Sequence, residues 1–254
     1  MKNLITKAAE AVYRSRLTLA LTGAGISVES GIPDFRSAGG LWAKYDPAEY
    51  ATIQAFMQNP EKVWNMLRDM DGLIAQARPN AAHLGMGEME TIGFLHGIIT
   101  QNVDNLHQAG GSKQVIEYHG NSSMLSCLWC GRKYGAEEKR GEHLPKCVCQ
   151  KILKPDVVFF GEPIPPEALE RSFRLASSAE ALLIVGTSAL VSPANTIPAV
   201  AKDHGAILIE MNMERTHLTE SMTDIFLEGS AGETIPELLG ELKRMTGEKE
   251  PTSV

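Results

Sequence analysis

The stretch Leu17-Thr18-Leu19-Ala20-Leu21-Thr22-Gly23-Ala24-Gly25-Ile26-Ser27 decides the fold. A short apolar, β-compatible run stops at two glycines one residue apart, so the backbone turns tightly as it leaves a buried strand. Before it, residues 3–16 repeat apolar side chains every four positions (Leu4, Ala8 and Val12 beside Ile5, Ala9 and Tyr13) and read as an amphipathic helix. Further apolar runs bounded by Gly, Asn or Asp lie at 97–100, 115–118, 156–160, 181–185, 206–209 and 224–227, and are candidate buried strands. Helical patterns separate the later ones, at 165–176, at 194–203, and through Ile235, Leu238, Leu239 and Leu242. Such alternation predicts an α/β chain: a Rossmann-like parallel sheet with helices on both faces and ligands beyond the carboxyl ends of its strands.

Two stretches break the alternation. Residues 39–77 read as mainly helical, with Asn59-Pro60 supplying an N-cap and a first-turn proline. Residues 122–154 hold all four cysteines among polar and charged residues. Both are expected to be excursions that form one small domain. The large domain is then 1–38, 78–121 and 155–254, and the tail after Gly247 is expected to fray.

Composition narrows the function classes. The 254 residues are 43% hydrophobic and 22% charged, which excludes disordered, collagen-like and coiled-coil chains. Lys plus Arg number 24 against 31 Asp plus Glu, a net charge of −7 with no polybasic block, which disfavours nucleic acid as a partner. No apolar run approaches the roughly 18 to 20 residues of a membrane span, and the first ten residues do not resemble a signal peptide, so a cytoplasmic protein without membrane contact is expected.

The cysteines follow the pattern Cys127-x-x-Cys130, sixteen residues, Cys147-x-Cys149. Four clustered thiolates suit tetrahedral zinc with no open position, a structural site rather than a catalytic one. The second pair is tighter than C-x-x-C, which leaves His143 as an alternative to one of the cysteines. Elsewhere, unusual residues gather at strand ends. The Gly23-Ala24-Gly25 turn leads into Gly31-Ile32-Pro33-Asp34-Phe35-Arg36; Gln101-Asn102-Val103-Asp104 and His107 follow a second strand, and Glu117-Tyr118-His119-Gly120 a third. Singly, each fits an ordinary loop. Together, at one edge of a sheet, they predict a shared nucleotide-binding cleft.

Six segments in order, GAGISVESGIPDFRS from Gly23, TQNVDNLHQAG from Thr100, EYHGN from Glu117, CLWC with its second cysteine pair, KPDVVFFGE from Lys154 and GTSALVSPAN from Gly186, carry a resemblance to the sirtuins, NAD-dependent protein-lysine deacylases. The match runs from about Leu19 to Leu239. It implies that Gly23, Ala24, Gly25 and Ser27 lie against the NAD diphosphate, with main-chain N–H groups facing the anion. Ile32, Phe35 and Arg36 would belong to a cofactor loop, Gln101, Asn102, Val103 and Asp104 to the nicotinamide pocket, and Gly186, Thr187 and Ser188 to the phosphate and ribose contacts. Asn212 would meet the adenosine ribose, and Ser230 and Ala231 the adenine side. His119 matches the general base that takes the ribose 2'-hydroxyl proton, and Asn102 a group orienting the ribose or a water; His107 reads as structural.

The resemblance also implies an acyl-lysine tunnel at Val158 and Phe160, flanked by Gly161, Glu162, Leu190 and Val191, where a substrate peptide adds as a strand. The acyl carbonyl oxygen is a weak nucleophile, so a closed apolar tunnel serves to exclude competing water. Relatives that remove acidic acyl groups carry a Tyr-x-x-Arg pair; counted from Asn59-Pro60, those positions here are Leu67 and Met70, which favours acetyl or longer uncharged acyl groups. The expected assembly is a monomer with NAD as co-substrate and one structural zinc. Two other readings compete: transfer of ADP-ribose to protein, and an NAD-sensing zinc module without turnover.

Overall fold

In the structure, a computed structural model describing residues 2–247, nine strands follow in chain order. They are β1 (Thr18–Thr22), β2 (Gly97–Thr100), β3 (Val115–Glu117), β4 (Gly120–Ser126), β5 (Lys133–Gly135), β6 (Lys154–Val157), β7 (Ala181–Val185), β8 (Ile207–Asn212) and β9 (Ile225–Glu228). Six of them pair in parallel in the order β3-β2-β1-β7-β8-β9. Counted within the sheet alone this is 3-2-1-4-5-6, the doubly wound order, in which the crossovers after β1 and β7 diverge and leave a crevice above their ends. β1, β2 and β7 are buried along their whole length, which explains their unbroken apolar runs.

Helices cover both faces. Lys2–Arg14, Ala81–Thr91 and Ala231–Thr246 enclose one core with Ile5, Val12, Met86, Met89, Ile235 and Leu238. Pro166–Ala176, Ile197–Asp203 and His217–Ser221 enclose the other around Leu182, Ile184 and Leu208. Helix Ala81–Thr91 escapes detection by periodicity because it is buried on most sides and has no broad polar face. Its Gly85 lets it touch its neighbour: a Cβ there would meet Ile235 Cγ2 at 2.8 Å.

The expected strand over residues 156–160 is a correction. β6 begins earlier, ends at Val157 and lies outside the parallel sheet, pairing antiparallel with β4 in a second sheet of order β5-β4-β6. Beyond Val157 the amides of Val158 and Phe160 bond instead to His119 O (2.8 Å) and Ala51 O (2.9 Å), and Phe159 turns into a separate core. That core also takes Phe56, Val63, Trp64 and Leu67 from the helical stretch and Leu125, Cys127, Cys147 and Leu153 from the cysteine stretch. Trp64 Nε1 donates to Leu153 O at 2.9 Å across it. The cap of the longest helix there, Pro60–Gln76, is the expected one: Asn59 accepts from Lys62 N.

Candidate active site at the crossover of the parallel sheet

Where β1 and β7 end side by side, their loops cross in contact. Gly23 N donates to Val185 O (3.1 Å) and Gly25 N to Gly186 O (2.8 Å). A Cβ on Gly25 would lie 2.7 Å from Gly186 Cα, and one on Gly186, whose φ is +59°, would strike the Gly25–Ile26 peptide. These glycines therefore exist for loop-on-loop contact. The expectation that the amides of Gly23 and Gly25 face an anion is corrected accordingly, because both are committed within the protein. Ala24 opens the short 3-10 turn Ala24–Ser30 and has no acceptor inside it, so its N–H is available to a phosphate.

A polar network closes the cleft on the β2 side. Ser27 Oγ donates to Asp104 Oδ2 (2.7 Å), Leu106 N to Asp104 Oδ1 (3.0 Å), and the Asn102 side-chain amide to Gly23 O and Ser27 Oγ (both 3.1 Å). Gln101 Nε2 reaches across to Thr187 Oγ1 (2.9 Å), and Asn212 Nδ2 donates to Thr187 O (3.1 Å), linking the ends of β2, β7 and β8. At the far end, Glu29 holds Ser230 Oγ (3.1 Å) and Gly232 N (2.7 Å) at the first turn of the last helix. Phe35 packs against Trp42 with the rings tilted by 32° and their centroids 4.9 Å apart, while Arg36 is exposed.

Behind this network lie two buried histidines. Thr22 Oγ1 donates to Thr100 Oγ1 (2.9 Å), so it accepts from His107 Nε2 (2.9 Å); Thr100 Oγ1 also receives Asn102 N (3.1 Å). His107 is thus linked through Thr22 and Thr100 to the Asn102 main chain. His83, which the sequence did not single out, packs edge-on against it at 5.0 Å. Burial pushes His107 down to about 3, helped by His83, and His83 down to about 4 despite nearby Asp104. The unfolded chain binds these protons near the ordinary value of about 6.5, so stability is full above that pH and is lost as pH falls toward the folded values. Proton uptake by the unfolded chain therefore lowers stability progressively as pH falls through that window. Denaturation midpoints measured between about pH 7 and about pH 5 should drop steeply, and His107→Gln should flatten the slope; an equal slope in the variant would contradict this.

His119 stands at the end of β3, half-buried. Its Nδ1 lies 3.1 Å from Gln101 O, and a carbonyl can only accept, so Nδ1 carries the proton and Nε2 keeps a lone pair. Burial holds this imidazole below the ordinary histidine range, against the opposing pull of the Gln101 carbonyl, so it is neutral at physiological pH. One cavity of about 2020 Å³ runs past it, and every residue named above for the cofactor, the base and the acyl-lysine lines that cavity. So do Leu67, Met70, Ile74 and Leu125, which extend its apolar part between helix Pro60–Gln76 and the cysteine module. Trp42 also lines it, although no motif singles that residue out.

The four cysteines converge elsewhere, with ligand sulfurs all within 4.8 Å of one another. The closest pairs are Cys127–Cys149 at 3.6 Å, Cys130–Cys147 at 3.5 Å and Cys130–Cys149 at 3.8 Å. A tetrahedron with metal–sulfur bonds of roughly 2.3 Å has edges of about 3.8 Å, which the three closest separations match, so the donor set fits zinc. The His143 alternative is not taken up: that residue meets the Arg68 guanidinium through both its carbonyl and its ring.

Comparison with known proteins agrees. The model of the Sir2 family matches residues 23–193. An NAD-dependent protein deacylase of Pyrococcus abyssi (strain GE5 / Orsay) is 45% identical over 249 residues, covering 95% of this chain and 99% of its own. A crystal structure of a Sir2 homolog–NAD complex superposes with a TM-score of 0.88 and 41% identity over 94% of each chain. The structure of Sir2Af2 bound to a myristoylated histone peptide does so with a TM-score of 0.85 and 35% identity, over 98% of this chain and 100% of that one. With its sheet order, its cleft and its cysteine cluster all accounted for, the chain belongs to the Sir2 family.

Proposed function

We propose that this protein is an NAD-dependent protein-lysine deacylase that moves the acyl group of an acyl-lysine to ADP-ribose and releases nicotinamide and free lysine. The observation that carries the reading is His119: a neutral imidazole with one nitrogen fixed by Gln101 O and the other open, on the wall of the cavity shared by the β1, β2 and β7 loops. NAD supplies the activated ribose carbon and its leaving group. The protein supplies the rest. Ala24, Ser27 and the Gly186–Ser188 turn hold the diphosphate and ribose; Asp104 and the fixed amide of Asn102 orient the nicotinamide end; His119 takes up the hydroxyl proton. Val158 and Phe160 line the acyl-lysine tunnel, and the small domain of helices and cysteine module closes it against the sheet domain. Four cysteines hold a zinc whose task is structural. The relative that binds a myristoylated histone peptide supports an acyl-lysine peptide as the substrate class.

The proposal includes a cytoplasmic monomer. No helix among the described residues is long and apolar enough to cross a membrane, and the net charge is −7. The acyl preference follows from Leu67, which is buried, and Met70: a carboxylate-bearing acyl group would enter an apolar wall with no guanidinium at those positions. In an assay with NAD and matched peptides, mass spectrometry should show acetyl or longer aliphatic lysine consumed about 10- to 100-fold faster than succinyl-lysine. Faster desuccinylation would overturn the preference. A protein adduct gaining ADP-ribose would instead indicate transfer to protein, and unchanged NAD a sensor.

A further inference from the structure

The first and last residues of the segment Lys154–Glu162 meet inside the protein. Lys154 is only 5% exposed. Its Nζ lies 3.0 Å from Glu162 Oε2 and donates to Pro155 O (2.9 Å) and Val157 O (2.7 Å), and it stands 4.6 Å from the Phe159 ring centroid. An ammonium has three protons, and three acceptors surround this one. Glu162 Oε2 also receives Phe159 N at 2.8 Å. The ion pair thus closes residues 154–162 into a clip around the loop that carries Val158 and Phe160.

The loop is tied at two further points. Val158 N donates to the main-chain O of His119, and Phe160 pairs with the helical stretch through Ala51 O and Ile53 N (3.0 Å). One short segment therefore touches the base's own peptide, the tunnel wall and the small domain. An ion pair with one buried member, Lys154, and one half-buried, Glu162, is a poor device for stability alone, since desolvation offsets most of its attraction. Its directional bonds do set geometry. We infer that Lys154 and Glu162 are a positioning pair for the acyl-lysine reaction: without touching the reacting atoms, they hold loop 158–161 as a preformed edge that seats the acyl-lysine and keeps water out of the tunnel. This rests on the deacylase reading and adds to it, because the resemblance alone would make Glu162 a substrate contact.

The test compares Lys154→Arg, Lys154→Met, Glu162→Gln and the double variant Lys154→Met/Glu162→Gln, which leaves no unpaired buried charge. The single neutral variants should raise KM for an acetyl-lysine peptide about tenfold and change KM for NAD less than about twofold, with nicotinamide released in excess of deacylated peptide as water enters. Lys154→Arg should retain most of the wild-type behaviour. The double variant should recover thermal stability but keep the raised peptide KM. If it regains the wild-type peptide KM and an equimolar product ratio, or if the single variants lose all parameters together, the pair is merely structural and the inference fails. A substrate-free readout separates this from the function itself: amide hydrogen exchange at Val158 and Phe160 should quicken about tenfold in the double variant while β1 and β7 stay protected. Unchanged exchange there overturns the clip even if the wild type proves to be a deacylase, and a wild type without turnover would defeat the deacylase reading while leaving the exchange result to decide the clip.

Discussion

Replacing His119 with alanine is expected to lower kcat/KM for deacylation by about 10²- to 10⁴-fold, the range over which a positioned general base acts. The fold should survive, because the ring's one hydrogen bond is to the main-chain carbonyl of Gln101 and the residue is only half-buried. Burial holds the imidazole below its ordinary value, so the acid limb of the wild-type rate profile should lie below about pH 6.5, the reference for an unperturbed histidine, and vanish in the variant. Steady-state rates across pH, with melting temperatures alongside, check both parts. Full turnover in His119→Ala would remove the assigned base.

Loss of the metal should have the second large effect. Cys127 and Cys147 belong to the same apolar core as Trp64, Leu125, Leu153 and Phe159, so the thiolate cluster and the helical stretch stand or fall together. Structural zinc contributes roughly 10 to 16 kcal/mol in small zinc-dependent folds, far more than any single contact in this module. Cys127→Ser, or prolonged chelation, should therefore release one zinc per chain, expose Trp64 and abolish deacylation, although no cysteine lines the catalytic cavity. Zinc content, tryptophan fluorescence and activity measured on one sample test this. A chelated protein that keeps its fluorescence and its rate would show that the cysteines hold nothing of structural consequence.

How much was legible in advance depended on what kind of signal each feature leaves. β1, β2 and β7 are buried on both faces, so they appear as short uniform apolar runs, and the glycines after β1 mark the turn. The same signal misled at Val157-Val158-Phe159-Phe160. An apolar run reads alike whether it fills a sheet or a loop wedged between two cores, and only the partners of its amides decide. Helix Ala81–Thr91 left little trace because its narrow exposed stripe, Ala81, Leu84, Glu88 and Thr91, is half apolar. The cysteine cluster is visible from spacing alone, yet the choice between His143 and the tight second pair depends on which side chains the fold brings together.

For the site, strand-end clustering was enough to expect a shared cleft, while individual roles came from the resemblance. The glycine turn shows what a motif leaves out: Gly25 and Gly186 answer to each other before they answer to any ligand. His83 and the Lys154–Glu162 pair were not foreseeable, since nothing in their sequence separation announces that a helix cap meets a β2 loop or that a nine-residue segment closes on itself.

The central claim is that the acyl carbonyl oxygen, shielded from solvent, is what attacks the ribose carbon, and it can be followed with an isotope. A peptide whose acetyl-lysine carbonyl carries ¹⁸O should, after one turnover in ordinary water, leave the label on the anomeric oxygen of the ADP-ribose portion of the product, with a water oxygen in the transferred acyl group. Label retained in the acyl group, or ADP-ribose formed with only water oxygen at the anomeric carbon, would contradict the account.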